Sequence, residues 1–263
     1  MTNSVIIAGM NPTGHHAVAV WLLHQRLGID DFAINTITPW LFKVENDDGV
    51  SLLANNPLKS TSKDTDEHPD KDRFDDIVSQ INPLNIFVTH EQAKLSQVAW
   101  ACGHSHSIWT EEVKPKMVVV LRDFKNWLAS CIKMAERDNP VDSIGYMADY
   151  IDDDKTAVYY NHCQLFNNSD VTYILYNHWV EEEGYRREIC EKLGLHFTDS
   201  AFNQLSIFGK GSSFDGMRHI KTASLMQVNQ RYKQMEDHPT YKQVINDNPE
   251  ALLASDEIFG RYQ

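Results

Sequence analysis

Met117–Leu121 reads Met-Val-Val-Val-Leu, five apolar residues with no polar alternation. A strand of that kind has no face to give to water and belongs inside a sheet covered on both sides. Ser4–Ala8 (Ser-Val-Ile-Ile-Ala) has the same character, and Asn85–Thr89 and Val171–Tyr176 supply two more short runs. Helical spacing separates them. Val18, Trp21 and Leu22 fall on one face of His15–Leu27. Trp127, Leu128, Cys131 and Met134 do so in Phe124–Arg137, and Tyr185, Ile189 and Leu193 in Glu181–Leu193, with Gly194 as a C-cap. Four strands divided by helices predict a three-layer α/β/α fold with a central parallel sheet. The 263 residues contain no internal repeat and no linker rich in Gly, Ser or Pro, so a single domain is expected over 1–263. Within it, 47–83 is expected to be a loop or lid, because Asp and Lys dominate Lys59–Asp76 and Pro57, Pro69 and Pro83 interrupt it. Residues 141–166 read as interrupted helix, and 217–263 as a C-terminal extension of irregular short helices.

Charge and cysteine content restrict the partners. Lys plus Arg number 24 and Asp plus Glu 37, a net charge of −13. That balance argues against nucleic acid and against an anionic membrane, but not against a small anion held by local donors. Cys102, Cys131, Cys163 and Cys190 are far apart and form no CxxC pair, so free core thiols are expected rather than a metal or redox site. The first apolar run lacks a basic flank, and no segment approaches 18 continuous apolar residues, so a cytoplasmic protein is expected. No pattern encodes an oligomeric state.

Ligands of such folds gather beyond the carboxyl ends of the strands, and four polar clusters fall there. The first is Gly9-Met10-Asn11-Pro12-Thr13-Gly14-His15-His16, with the GxxxxG spacing of a phosphate loop. Glycine permits the tight turn, and the N–H groups opening the next helix face an anion. A nucleoside triphosphatase requires Lys at 15 and Ser or Thr at 16. Both are histidine here, which disfavours magnesium-dependent ATP hydrolysis. A capping turn that binds nothing is the plainer alternative. Metal binding is not expected, since neighbouring helix positions diverge and no third ligand is apparent. The second cluster is Arg122 with Ser130, two helical turns later. Alone, Arg122 reads equally as a surface cation. The third is His90-Glu91, just beyond Asn85–Thr89. The fourth is Gly209-Lys210-Gly211-Ser212-Ser213-Phe214, with Arg218 following, whose cations would serve a phosphate or surface carboxylates. His104 and His106 line the acceptor side on one reading and form a plain helix-to-strand turn on another.

Strand, glycine loop and helix, followed by Val118-Val119-Val120-Leu121-Arg122-Asp123 with Asn126 and Ser130, resemble the sulfotransferases that use 3′-phosphoadenosine 5′-phosphosulfate (PAPS). The likeness continues through Tyr176, the helix ending in Leu193-Gly194-Leu195, and the glycine-serine loop. It implies a fold like that of P-loop nucleoside triphosphate hydrolases. It also implies a 5′-phosphosulfate cradled by Asn11, Pro12, Thr13, Gly14, His15 and His16, and a 3′-phosphate bound by Arg122 and Ser130. Lys210, Gly211, Ser212 and Arg218 would contact the nucleotide. His90, or Glu91 as in carbohydrate-directed relatives, would take the proton of the acceptor, a small molecule or carbohydrate. One position departs from the pattern: Pro12 stands where many members have lysine, and His15 or His16 would supply that cation. A catalytically inactive nucleotide-binding relative, a P-loop small-molecule kinase and a purely structural domain remain the alternatives. GxGxxG is absent, which disfavours Rossmann-type oxidoreduction.

Overall fold

The computed structural model describes residues 5–27, 33–38, 41–46, 49–57, 86–91, 116–138, 151, 153–203, 212–216, 218–219 and 221–260. Seven strands form one sheet: β1 (Val5–Gly9), β2 (Ala33–Thr38), β3 (Leu41–Asn46), β4 (Gly49–Pro57), β5 (Ile86–Glu91), β6 (Lys116–Leu121) and β7 (Val171–Leu175). Their order is β2-β3-β4-β5-β1-β6-β7. From β4 to β7 all neighbours are parallel. The β2–β3 and β3–β4 pairs are antiparallel, so the sheet is parallel at its centre and mixed at one edge.

The apolar runs account for the centre. Val118, Val119, Val120 and Leu121 are fully buried, as are Ile7 and Ala8. Successive side chains of a strand point to opposite faces. Ile7, Val118, Val120 and Ile174 pack with Val18, Trp21 and Leu22 of α1 (His15–Leu27) and with Ile189 and Leu193 of α5 (Glu183–Leu193). Ala8, Val119 and Tyr173 face the other way. On that side lie α2 (Phe124–Asp138), α3 (Asp153–Gln164) and α7 (Pro249–Phe259), which share a second core. Helices α4 (Tyr176–Glu181) and α6 (Pro239–Asp247) are the other α-helices among the described residues. The result is the expected three-layer α/β/α architecture.

Local signals explain the boundaries. Asp123 caps α2, accepting the Asn126 N–H on Oδ1 at 3.0 Å. Gly194 ends α5 in the left-handed region at φ 67°, with the Leu195 N–H returning to the Cys190 carbonyl at 2.8 Å.

Four expectations need correction. Residues 47–83 are not loop throughout, because Gly49–Pro57 is β4, pairing with β3 and β5. The rest of that stretch, 58–83, lies outside the described residues. His90 and Glu91 do not follow the second strand but end it, and hydrogen bonding to β1 and β4 extends β5 through them. Tyr176 starts α4 rather than ending β7. The C-terminal region contains two regular helices, α6 and α7, besides short 3-10 turns at Ala223–Leu225 and Val228–Gln234.

Cys131, Cys163 and Cys190 are free and buried, while Cys102, His104 and His106 lie outside the described residues. Burial pushes the Cys131 and Cys163 thiols up to about 12. Burial and then Asp199 do the same for Cys190. A raised thiol pKa favours the folded state's neutral form. Its contribution is therefore complete below the unfolded value of about 8.5 and is lost as pH rises toward 12. Alkylation of the native chain at pH 8 is expected to leave these three cysteines unmodified by peptide mass spectrometry, and guanidinium to expose all three. Native labelling at the denatured rate would refute the buried assignment.

Candidate anion-binding cleft

The sheet order places β1 between β5 and β6, so connections leave its two sides in opposite directions. A crevice opens at such a point beyond the strand ends, and the 9–14 turn lies there. The Thr13 N–H closes the turn on the Met10 carbonyl at 2.7 Å. Gly14 has φ +87°, and a Cβ on it would meet the Tyr176 ring at 2.3 Å. A Cβ on Gly9 would lie 2.9 Å from His15 Cβ and 3.0 Å from Thr13 Oγ1. Both glycines of the spacing are thus required by close approach. The Asn11 carbonyl ties the turn to α2, accepting from Trp127 Nε1 at 3.4 Å and Cys131 Sγ at 3.8 Å.

Arg122, the first residue after β6, is 1% exposed. Its Nη1 donates to Ser130 Oγ at 2.9 Å and its Nη2 to the Val228 carbonyl at 2.5 Å. Its guanidinium carbon stands 5.6 Å from the Tyr176 ring centre. Tyr159 fixes the backbone beneath by donating its hydroxyl to the Arg122 carbonyl at 2.7 Å. Arg122 Nε is buried and has no hydrogen-bond partner among the described residues, and the same holds for Thr13 Oγ1 and Ser213 Oγ. Burial lowers the Arg122 pKa.

A second buried guanidinium joins it. Arg231, on the Val228–Gln234 turn, donates Nη1 to the same Ser130 Oγ at 3.4 Å and Nη2 to Ser212 Oγ at 2.6 Å. Burial first, then the Arg122 charge, push Arg231 down to about 10, still protonated near neutrality. Asn126 holds this segment against α2. Its Nδ2 donates to the Asn229 carbonyl at 3.1 Å and to Asp123 Oδ2 at 2.9 Å, and its Oδ1 accepts the Tyr232 N–H at 3.1 Å. Asn177 completes the network by donating to Asp123 Oδ2 at 2.7 Å.

These elements surround a cleft of about 120 Å³. Asn11, Pro12, Gly14, His15, His16, Arg122 and Ser212 all line it, as do Ser213 and Arg231. The His15 and His16 rings lie 4.2 Å apart. Tyr176, Trp179 and Phe202 form an aromatic wall, Tyr176 stacked on Trp179 with ring centres 5.5 Å apart and Phe202 edge-on to Trp179 at 5.3 Å. Arg186 braces that wall. It donates to Asp199 through Nε at 3.0 Å and Nη2 at 2.7 Å, and to the Trp179 carbonyl at 2.7 Å.

The sequence-derived residues thus divide. The turn, Arg122, Ser130 and Ser212 come together. Backbone register sets His90 beside Ala8 and Glu91 beside Gly9, next to the turn. Arg218 is exposed and does not line the cleft, and the cation on that side is Arg231. Lys210 and Gly211 lie outside the described residues. Arg231 left no sequence signal, being one arginine in a polar C-terminal stretch. Asn126 did lie within the recognised pattern, though its role is visible only in space. No group of three or more His, Cys, Asp or Glu suited to a metal occurs among the described residues, and no helix there is long and apolar enough to cross a membrane.

No protein-family model matches the chain, and no curated protein matches it. What the chain offers is a three-layer α/β architecture of the kind used by nucleotide- and small-molecule-binding enzymes, with a cationic cleft at the switch of its sheet.

Gly14→Ala is expected to destabilise the fold by about 2 kcal/mol or more, from a left-handed backbone and the clash with Tyr176. Asn126→Ala leaves the Tyr232 N–H and Asn229 carbonyl unpaired and is expected to cost about 2–4 kcal/mol. Urea denaturation measures both, and a wild-type midpoint for either would contradict the packing described.

Proposed function

We propose that this chain is a sulfotransferase that moves the sulfonyl group of PAPS to a hydroxyl or amine of a small molecule or glycan, in the cytoplasm. The observation that carries this reading is the shared cleft. The glycine turn and Arg122, whose guanidinium donates to Ser130 behind it, are far apart in sequence and line one cleft at the carboxyl edge of the sheet. In the proposed reaction the acceptor oxygen or nitrogen attacks sulfur in line. The bond from sulfur to the bridging oxygen breaks, and its electron pair leaves with 3′-phosphoadenosine 5′-phosphate. The acceptor's proton goes to His90, with Glu91 the alternative base. Thr13, the amides opening α1 and a protonated His15 or His16 stabilise the charge gathering on the departing oxygens. Arg122 and Ser130 anchor the 3′-phosphate and take no part in bond making.

A second reading has its own observation: Pro12 stands where the resembled family carries a lysine, which favours a nucleotide-binding relative without turnover. Titration calorimetry with 3′-phosphoadenosine 5′-phosphate, 5′-AMP and ATP plus magnesium tests the binding step. The 3′-phosphorylated nucleotide is expected to bind at least tenfold more tightly than the others. Preference for ATP, or indifference to the 3′-phosphate, overturns the reading. Arg122→Gln is expected to weaken that nucleotide by about 10- to 100-fold, the worth of charge-assisted hydrogen bonds. His90→Gln is expected to lower turnover by about 100-fold or more with little change in nucleotide affinity. Tight binding with no sulfonyl transfer to a panel of acceptors would favour the second reading.

A further inference from the structure

Among the described residues that line the cleft no Asp or Glu occurs, while three arginines and two histidines do: Arg122, Arg137, Arg231, His15 and His16. In a chain of 37 Asp and Glu against 24 Lys and Arg, such a wall suits anions along its whole length. The proposed reaction uses Arg122 at the 3′-phosphate and His15 or His16 at the departing oxygens. Arg231 shares the Ser130 hydroxyl with Arg122 and belongs to the same end. Arg137 has no part in it.

Arg137 stands in the last turn of α2 and is exposed at the cleft wall. It follows Ser130 by two helical turns, about 10 Å along the axis. Met134, between them, also lines the cleft and is buried. α2 meets the glycine turn through Trp127 and Cys131, both bonded to the Asn11 carbonyl, so Met134 and Arg137 carry the wall on past that turn. The neighbouring carboxylate, Glu136, does not line the cleft and is engaged by Lys133 Nζ at 2.9 Å and His238 Nε2 at 3.4 Å. A cation in the last turn also suits the helix dipole, but that accounts for its charge and not for its place on the cleft wall.

We propose that Arg137, with Met134 beside it, selects the acceptor: a hydroxyl or amine compound that bears an anionic group, a carboxylate or a sulfate. This rests on the sulfotransferase reading, which seats sulfur at the glycine turn and brings the acceptor in line from the side away from the departing oxygen. The acceptor then lies along the part of α2 beyond the turn. The Met134 side chain covers its carbon skeleton, and the Arg137 fork takes its anion through paired hydrogen bonds. Arg137 makes and breaks no bond; it determines which compounds reach the sulfur.

Ligand-observed NMR measures the affinities of two matched pairs, glucuronate against glucose and para-hydroxybenzoate against para-hydroxybenzyl alcohol. The full chain and its Arg137→Gln and Arg137→Lys variants are compared, with and without 3′-phosphoadenosine 5′-phosphate. In the wild type at least one carboxylate is expected to bind about fivefold or more tightly than its neutral twin. R137Q is expected to bring that pair within about twofold, and R137K, which keeps the charge, to retain at least half of the preference. Nucleotide affinity is expected to stay within about twofold in both variants, since neither touches Arg122. Equal affinities within both pairs, or no carboxylate bound, overturns the proposal. So does a lower melting temperature of R137Q with its preference intact, the result of a helix-dipole role alone. Nucleotide binding without any carboxylate preference leaves the sulfotransferase reading standing and removes this one. A preference lost in R137Q, in a chain that does not bind the nucleotide, removes that reading and leaves Arg137 as the anion-selecting group of the cleft.

Discussion

A guanidinium withdrawn from water costs several kcal/mol unless polar partners replace the solvent, and the cleft is arranged around that requirement at Arg122. β6 delivers the side chain to the sheet edge. α2 must begin at once for Ser130 to come back within 2.9 Å, and the C-terminal turn must return for Val228 to present its carbonyl. Tyr176 lies beneath the cation, and Gly14 must lack a side chain to let that ring in. Strand end, helix start, glycine turn and distal segment are therefore fixed by one buried charge.

The contrast with Arg186 shows what is unusual here. Arg186 is equally buried, but a two-pronged bond to Asp199 and a bond to the Trp179 carbonyl meet its charge and its donors. It reads as a structural pair. Arg122 and Arg231 share one hydroxyl, leave Arg122 Nε unmatched, and have one ion-paired carboxylate among the described residues, Asp215 at 3.6 Å from Arg231 Nη2. In a chain of net charge −13 with acidic groups in plenty, this local shortage of counter-charge sets the cleft apart.

Apolar runs made the sheet centre legible, because strands covered on both faces need uniformly apolar residues, and Val118–Leu121 and Ile7–Ala8 are of that kind. β2, β3 and β4 escaped for the complementary reason. Asn35, Lys43, Glu45, Asn55 and Asn56 interrupt them, and their antiparallel pairing rests on register rather than on an apolar stretch. At the site, the Arg122–Ser130 interval was readable through the resemblance to the sulfotransferase pattern, since Arg122 precedes α2 and Ser130 lies within it. Arg231 was not, since its place depends on the Asn126 amide joining segments 103 positions apart.

That long-range stitching bears on how the cleft comes into being. As the polypeptide leaves the ribosome, the glycine turn emerges first and Arg122 follows, yet Val228, Asn229 and Arg231 arrive more than a hundred residues after Arg122. Until then the cation has neither its carbonyl partner nor its second guanidinium. A nascent chain can assemble the sheet centre well before the cleft has its second cation, so emergence of the Val228–Arg231 segment is the step that completes the cleft.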